Sequence, residues 1–565
     1  MSQSRSSMRD SIRSSALRRQ VSLDWASKKV AALTLEQKIG QMVIVGFPGR
    51  ECHPEVRSLI TQCHIGGVML TEDNISSPVQ AKSLTEELQA LSFPDTGLDL
   101  FISVDQEGGS ISRFRYPATV LPTSMAIAAT GTAESAERCA RLSAQEMRAL
   151  GVNLNFAPVL DVNSERSNPV IGVRSFSDSS EVVAEFGRVA IDAYQENGLI
   201  AAAKHFPGHG DTSIDSHLGL PTVFRDLEEL FSTHLPPFSE AIKSGVEMIM
   251  TAHVVFPRLS DSGLPATLCR NIVSGLLRGR MGFDGLIITD ALVMDAIAVK
   301  HSLEEASIAS VEAGADVVLM LSSLDGQRRA YEGLVEAVKS GRLSEERVDQ
   351  SVRRIVVAKQ RLRMRQSLLG NIRFADWPVQ SHQQIVRDVA RKAITLLRNR
   401  NHLLPIDQDT RRLGIVEFAE HRFSPVEDAR HQGCSIESLV RARRPDTRSA
   451  LLEAIPVDGT AKVGEVIEQS DTIIVATRNA HLVESQANVV RRLIASGKPT
   501  VVVALRNPYD LVAFPDADCH VVTYGDSPCL LEAARDLLFG EYQPSGRLPV
   551  TLPGLYARGY GRQSF

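Results

Sequence analysis

The sequence predicts an α/β protein of two domains: a TIM-like (β/α)8 barrel followed by an αβα sandwich with a mostly parallel sheet. Three observations lead to this prediction. The chain has 565 residues, more than a single hydrophobic core usually organises. Over residues 28–368, eight short apolar runs alternate with amphipathic stretches, as in a (β/α)8 barrel. A second alternation of strands and helices then occupies residues 385–565.

The apolar runs of the first domain are its predicted strands. They cover residues 40–47, 65–70, 100–104, 152–158, 199–203, 247–252, 285–289 and 315–321. Helical periodicity between and after them predicts helices, for example over 133–150, 180–197, 226–244, 303–313 and 344–365. A doubly wound sheet produces the same alternation, so periodicity alone leaves both architectures open.

Residues 369–384 interrupt the pattern with Gly, Pro and Trp and are predicted to form a linker. The second domain is then predicted to contain helices over 385–397 and 527–539, and strands over 413–418, 472–476, 500–505 and 520–524. At the other end of the chain, residues 1–27 are predicted to be a disordered tail. The first 20 residues lack the apolar segment of a secretory signal, and their Ser and Arg content leaves a transit peptide as the alternative.

The composition is that of a soluble globular protein, with 43% hydrophobic and 23% charged residues. A formal net charge of -5 argues against nucleic acid or an anionic membrane as the main partner. No run approaches the ~18 apolar residues of a membrane span. Seven scattered cysteines are typical of a reducing compartment, so we expect a cytoplasmic protein. A monomer and a homodimer both remain open.

Polar side chains stand at the ends of four predicted strands: Asp105, Lys204 with His205, His253 and Asp290. Because the carboxyl ends of barrel strands surround one mouth, residues far apart in sequence converge there. Four such strand ends together indicate a functional site. A carboxylate at the position of Asp290 is placed to attack a carbon atom or to stabilise a cation. Arg174 lies in a long loop after the fourth strand, where its guanidinium group could bind ligand oxygens.

Residues 204–217 concentrate three histidines, two aspartates and a lysine after an apolar strand. One explanation is a metal site, whose ligands would be His205, His209, Asp211 and His217. The other is a dyad in which Asp215 orients His217 as a general acid/base. Gly208 and Gly210 favour the dyad, because a mobile acid needs a flexible loop whereas metal ligands are held stiffly.

Several stretches of the chain carry a family resemblance: VDQEGG, RSFS, KHFPGHG followed by DSH, IITDAL, and, in the second domain, ARKAITLLRNRNHLLPI and PSGRLPVTLP. Together they resemble the family 3 glycoside hydrolases, and within that family the β-N-acetylglucosaminidase (beta-hexosaminidase) branch. The resemblance covers nearly the whole chain from about residue 28. It implies a retaining exo-β-N-acetylglucosaminidase without metal or cofactor, acting on a GlcNAc-containing oligosaccharide or glycoconjugate.

The resemblance also implies roles for matching positions. Asp290 matches the nucleophile, and His217 paired with Asp215 matches the acid/base of a double displacement. The implied substrate-binding set, to which we add the strand-end histidine, is Asp105, Arg113, Arg174, Lys204, His205 and His253. Two positions depart from the family pattern: Ser110 stands where many relatives have Arg, and Ala291 where many have a second Asp.

Other functions remain open on sequence alone. A β-N-acetylglucosaminide phosphorylase or a β-glucosidase would use the same fold, and a metal-dependent amidohydrolase would use the same barrel. A catalytically inactive sugar-binding protein is a further alternative, against which the intact Asp290, Asp215 and His217 argue. The sequence does not distinguish a chitin fragment, a peptidoglycan fragment and a glycoconjugate as the natural substrate.

Overall fold

The computed structural model describes residues 23–370, 377–406, 412–419, 422–428, 434–453, 455 and 460–565. Its first part contains an eight-stranded parallel sheet. In chain order the strands are β1 (Val43–Gly46), β2 (Gly67–Leu70), β3 (Phe101–Val104), β4 (Leu154–Asn155), β5 (Ile200–Phe206), β6 (Met248–Thr251), β7 (Leu286–Thr289) and β8 (Val318–Met320). The strand residues are buried, as expected for strands covered on both faces.

The sheet closes into a barrel. β8 pairs with β1, and Val317, just before β8, exchanges backbone hydrogen bonds with Ile287 and Thr289 of β7. Every strand therefore has a neighbour on both sides. The predicted (β/α)8 barrel is confirmed, and the doubly wound alternative is wrong for this domain because the ring of strands is complete.

Helices connect the strands and cover the outside of the barrel. Several begin at a side-chain cap: Thr34, Ser179 and Asp226 each accept a hydrogen bond from a backbone N–H of the helix that follows. The helices are Leu23–Ala31, Leu35–Gln41, Pro54–Gln62, Pro78–Thr96, Ser124–Ala129, Glu134–Ala149, Ser180–Glu196, Leu227–Thr233, Leu235–Ser244, the π-helix Asn271–Arg280, Asp295–Ala298, Leu303–Ala313, Leu324–Lys339 and Glu345–Ser367.

The second domain contains a six-stranded sheet. Its strands are β9 (Thr395–Asn399), β10 (Leu413–Phe418), β11 (Arg448–Leu452), β12 (Thr472–Thr477), β13 (Thr500–Ala504) and β14 (Cys519–Val522). Among the described residues the spatial order is β9-β14-β13-β12-β10-β11, and only the β9–β14 pair is antiparallel. The predicted sandwich with a mostly parallel sheet is confirmed. Its helices are Gln380–Ala393, Ile436–Arg443, Thr460–Gln469, Glu484–Ala495 and Pro528–Leu538.

Some element boundaries of the barrel differ from the prediction. The first two residues of the predicted strand 40–47 belong to the helix that Thr34 caps. The predicted helix 226–244 is two helices that meet at His234, because prolines at 236 and 237 start a new helical segment. A helix also begins at Leu23, inside the predicted tail, while residues 1–22 lie outside the described residues.

The start of the second domain differs as well. The predicted linker 369–384 includes residues 371–376, which lie outside the described residues, and the helix Gln380–Ala393 begins within it. That helix ends before β9, so the predicted helix 385–397 runs into a strand. β11 was not predicted, since its exposed edge residues give no apolar run. The domain limits 28–368 and 385–565 stay predictions.

The two domains are joined by buried contacts. Met125, Ala126 and Ala129, from the short helix Ser124–Ala129 of the barrel, pack into the hydrophobic core of the second domain. The Thr123 hydroxyl donates a 2.7 Å hydrogen bond to the Tyr524 carbonyl, and the Ser177 hydroxyl donates to the Pro549 carbonyl. The second domain is thereby held against the carboxyl-end face of the barrel. Among the described helices, none is long and apolar enough to cross a membrane.

Candidate active site

The structure brings the predicted strand-end residues together at the mouth of the barrel. Asp105 directly follows β3, Lys204 and His205 lie in β5, and Asp290 directly follows β7. The Lys204 ammonium lies 2.7 Å from Asp105 Oδ1. Arg174, from the loop after β4, places Nη2 3.5 Å from His205 Nε2. These side chains therefore border one common site.

Glu107 lies at the centre of this group. Its carboxylate accepts two hydrogen bonds of 2.9 Å from Arg174 and lies 2.7 Å from the Lys204 ammonium. Only 4% of its side chain is exposed. Burial raises the pKa of Glu107, but the charges of Arg174 and Lys204 lower it by more, so Glu107 stays ionised. One carboxylate thus holds two cations in fixed positions.

His205 is oriented by a second buried carboxylate. Asp161 Oδ2 lies 2.6 Å from His205 Nδ1, and Asp161 Oδ1 accepts a 2.6 Å hydrogen bond from the His209 backbone N–H. Burial raises the pKa of Asp161, but the charges and hydrogen bonds of His205 and His209 together lower it by more, so the pKa lies below its ordinary value. An ionised acceptor at Nδ1 makes that nitrogen the donor. Nε2 is then the nitrogen that points towards Arg174.

The loop after β5 contains the Asp215–His217 pair. Asp215 Oδ1 lies 2.8 Å from His217 Nδ1 and accepts a 2.9 Å hydrogen bond from the His217 backbone N–H. Asp215 is buried, whereas 21% of the His217 side chain is exposed. Burial raises the pKa of Asp215, but its hydrogen bonds with His217 and Ser424 lower it to about 2. The two side chains thus lie together, as the predicted dyad requires, and the carboxylate is ionised.

The remaining candidate metal ligands in this loop have other partners. The two ring nitrogens of His209 lie 2.8 Å and 2.9 Å from the hydroxyls of Thr212 and Ser216. Burial, followed by the charge of His205, lowers the pKa of His209 to about 4. Asp211 pairs with Arg225 at 2.8 Å. Within the described ranges, no group of three or more His, Cys, Asp or Glu side chains is arranged to hold a metal ion.

Asp290 faces this loop from the end of β7. Its Oδ1 accepts a 2.7 Å hydrogen bond from the Ala291 backbone N–H. Burial raises the pKa of Asp290, while the nearby His253, His205 and His217 lower it by more, so the carboxylate is ionised at neutral pH. The Ser216 carbonyl accepts a 3.2 Å hydrogen bond from the Ala296 N–H, which ties the loop to the segment after Asp290.

The sequence predicts that His253 contacts substrate, and in the structure its side chain lies among protein atoms. It is fully buried, with Nδ1 2.8 Å from the Thr267 hydroxyl and Nε2 3.0 Å from the Ala291 carbonyl. Both ring nitrogens thus face protein atoms. Burial lowers the pKa of His253, and the charge of Asp290 acts in the opposite direction. Through the Ala291 carbonyl, His253 contacts the backbone beside Asp290.

The second domain supplies one wall of the site through residues 422–428, here called the 422–428 segment. Arg113, which lies 3.5 Å from Asp105, donates hydrogen bonds to Asp428 and, at 3.2 Å, to the Val426 carbonyl. The Ser424 hydroxyl donates a 2.6 Å hydrogen bond to Asp215 Oδ2. Residues of both domains therefore complete the site.

Family comparisons agree with this architecture. The family model "Glycosyl hydrolase family 3 N terminal domain" matches residues 34–358, and the model "Glycosyl hydrolase family 3 C-terminal domain" matches residues 394–558. The chain belongs to glycosyl hydrolase family 3. It is therefore a glycosidase that acts on a carbohydrate.

Full-length relatives of this family 3 enzyme are known. Beta-hexosaminidase A from Pseudoalteromonas piscicida is 30% identical, over 92% of this chain and 97% of that protein. Beta-N-acetylglucosaminidase/beta-glucosidase from Cellulomonas fimi is 29% identical, over 93% of this chain and 95% of that protein. A solved family 3 beta-N-acetylglucosaminidase from Paenibacillus sp. str. FPU-7 superimposes with a TM-score of 0.86 at 37% identity, covering 92% of this chain and 99% of that one.

Four residues of the site in this family 3 enzyme were not singled out from the sequence. Glu107 lies in the VDQEGG stretch, where the strand-end position drew attention to Asp105 instead. Asp161 follows the apolar pair Val159 and Leu160 beyond the predicted fourth strand, so the strand-end rule could have found it. Ser424 and Asp428 have no local signal, because only packing of the second domain brings them to the site.

Proposed function

We propose that this family 3 glycosidase is a retaining exo-β-N-acetylglucosaminidase that removes terminal, non-reducing β-linked GlcNAc. The observation that carries the proposal is the Asp215–His217 pair, joined at 2.8 Å on a loop that faces the ionised Asp290. The Paenibacillus and Pseudoalteromonas relatives, named as a beta-N-acetylglucosaminidase and a beta-hexosaminidase, support the same substrate class.

In the first step, Asp290 is the nucleophile. One carboxylate oxygen of Asp290 forms a bond to the anomeric carbon as the glycosidic C–O bond breaks. His217 donates its Nε2 proton to the departing oxygen, while Asp215 stabilises the ring through Nδ1. The products of this step are the free aglycone and a covalent glycosyl-enzyme.

In the second step, neutral His217 takes a proton from water through Nε2, and the oxygen of that water attacks the anomeric carbon. The bond to Asp290 breaks and the carboxylate is regenerated. Two displacements at one carbon give net retention of configuration. An imidazole backed by an ionised carboxylate can perform both proton transfers near neutral pH.

The terminal sugar is held by the charged groups at the mouth of the barrel. Lys204 and Arg174 are fixed by Glu107 and can donate to sugar hydroxyls, while Asp105 can accept from them. Arg113 and His205 complete this set. We also propose a cytoplasmic location, which the seven free cysteines support.

Product analysis with aryl β-glycosides tests the proposal. The enzyme should release GlcNAc from its aryl β-glycoside faster than it releases glucose or GalNAc, and Asp290→Ala should abolish this turnover. External azide should restore reaction of Asp290→Ala with a dinitrophenyl substrate, giving the α-glycosyl azide. Near-normal activity of Asp290→Ala in the absence of azide would contradict the mechanism.

The same assay separates hydrolysis from phosphorolysis. Product formation in phosphate and in phosphate-free buffer should be the same, with free GlcNAc as the product in both. GlcNAc 1-phosphate formed in phosphate buffer would instead identify a phosphorylase.

A further inference from the structure

We infer that Ser424, in the second domain, is a positioning residue for the Asp215–His217 acid/base pair. This inference rests on the proposed function and extends it to the second domain. Ser424 is separated from Asp215 by 209 positions in the chain, yet its hydroxyl lies 2.6 Å from Asp215 Oδ2. Both residues are buried, at 3% and 2% relative exposure.

From the described part of the chain the Asp215 carboxylate receives three donors, and they are divided unequally between its oxygens. Oδ1 accepts from the backbone N–H of His217 at 2.9 Å and from its ring Nδ1 at 2.8 Å. Oδ2 accepts from the Ser424 hydroxyl. Both contacts with His217 are made by Oδ1, so they restrain the carboxylate from one side only. The Ser424 hydroxyl adds an independent restraint at Oδ2 and satisfies the oxygen that His217 does not contact.

The position of Ser424 is itself fixed by neighbours in the 422–428 segment. Glu427 accepts a 3.0 Å hydrogen bond from the Phe423 backbone N–H and lies 3.3 Å from the Arg506 guanidinium. The Arg506 guanidinium also lies 4.9 Å from the centre of the Phe423 ring. These contacts attach the segment to the second domain, so Ser424 approaches Asp215 from an anchored position.

The segment is also attached directly to the barrel. The Asp428 backbone N–H donates a 2.9 Å hydrogen bond to the Ser110 carbonyl, and the Ser110 hydroxyl lies 3.4 Å from Glu427. The barrel contact through Ser110 does not involve the dyad. It therefore offers a matched comparison, in which a hydroxyl is removed from the same interface without touching Asp215.

A positioning role and a purely structural role predict different kinetics. If Ser424 serves proton transfer, its removal should matter most where the leaving group needs a proton. If it only joins the two domains, its removal should change all substrates alike through the amount of folded enzyme. kcat/KM is the appropriate parameter, since it reports steps up to release of the aglycone.

The test compares β-linked GlcNAc disaccharide with 2,4-dinitrophenyl β-GlcNAc, whose leaving group departs without protonation. Ser424→Ala should lower kcat/KM about 10-fold on the disaccharide, the effect of losing one hydrogen bond to a charged group, and about twofold or less on the aryl substrate. Ser424→Thr, which retains the hydroxyl, should restore activity to within about threefold. Ser110→Ala should change either substrate by less than about twofold.

His217→Ala is measured in parallel to separate this inference from the proposed function. If His217→Ala loses more activity on the disaccharide than on the aryl substrate, the acid role of His217 stands. An equal loss on both substrates in Ser424→Ala would then overturn only the role of Ser424. An equal loss on both substrates in His217→Ala would overturn the acid role, and with it the inference.

A double-mutant cycle locates the action of Ser424. In an Asp215→Asn background, Ser424→Ala should add less than about a twofold loss on the disaccharide, because the group that it positions has already lost its function. A further loss of about 10-fold in that background would show that Ser424 acts elsewhere and would overturn the inference.

Discussion

The substitution Glu107→Gln probes the charge network beneath the sugar site. The Glu107 carboxylate contacts Arg174 through two 2.9 Å hydrogen bonds and Lys204 at 2.7 Å. Glutamine has nearly the same shape but no charge, and its amide N–H₂ group would face one of the two cations. The substitution therefore leaves buried positive charge without its counter-charge.

The contacts that remain set the size of the effect. Breaking a buried ion pair from one side costs about 3–5 kcal/mol. In the variant, Lys204 retains its ion pair with Asp105 at 2.7 Å. Arg174 retains its 3.1 Å hydrogen bond to the Val170 carbonyl. Because one cation stays paired, we expect a loss near the lower limit, about 3 kcal/mol. In a barrel of this size that corresponds to a fall in melting temperature of about 5 °C.

The loss of kcat/KM should be larger than the loss of folded enzyme alone would cause. A displacement of Lys204 and Arg174 by about 1 Å is enough to lower kcat/KM about 100-fold. The assay is hydrolysis of an aryl β-GlcNAc well below the melting temperature, combined with a thermal melt followed by circular dichroism. Unchanged activity together with an unchanged melt would refute the reasoning.

Glu146→Gln is the matched control. Glu146 is a buried carboxylate of the same domain that accepts two 2.7 Å hydrogen bonds from Thr119 and lies 2.8 Å from His382. It has no contact with Lys204 or Arg174. Its substitution should lower the melting temperature while kcat/KM stays within about threefold of wild type. A comparable loss of activity in both variants would mean that the assay reports stability alone.

Two further predictions concern carboxylates that orient histidines. Asp161→Asn should lower kcat/KM about 10-fold or more, because His205 Nδ1 loses its charged acceptor at 2.6 Å. The measurement is hydrolysis of an aryl β-GlcNAc by a variant whose thermal melt matches that of the wild type. Full activity of that variant would contradict the prediction. Asp215 has a pKa of about 2 in the folded protein against 3.8 ordinarily, so its stabilisation is present above about pH 4 and is lost as the pH falls towards 2. Urea titrations of wild type and Asp215→Asn measure the difference in their free energies of unfolding. This difference should decrease by about 1–2 kcal/mol as the pH falls from about 5 to 2.5. A constant difference would argue against an ionised Asp215.

The sequence by itself determined most of the elements and led to much of the candidate site. Barrel strands are buried on both faces, so they appear as apolar runs that can be counted without a structure. Polar residues directly after such runs must emerge at one mouth, which led to Asp105, Lys204, His205 and Asp290. The Asp215–His217 pair was recognisable because both residues lie in one short stretch. All these features can be recognised from residues that are close together in the sequence.

Tertiary structure decided what depends on residues far apart in the chain. Closure of the barrel required β7, β8 and β1 to meet, which periodicity cannot specify. The buried surroundings of His253, with both ring nitrogens beside protein atoms, were likewise visible only in the structure. The contact of Ser424 with Asp215 spans both domains, because hydrogen bonding and burial depend on distance in space and carry no signature in local sequence.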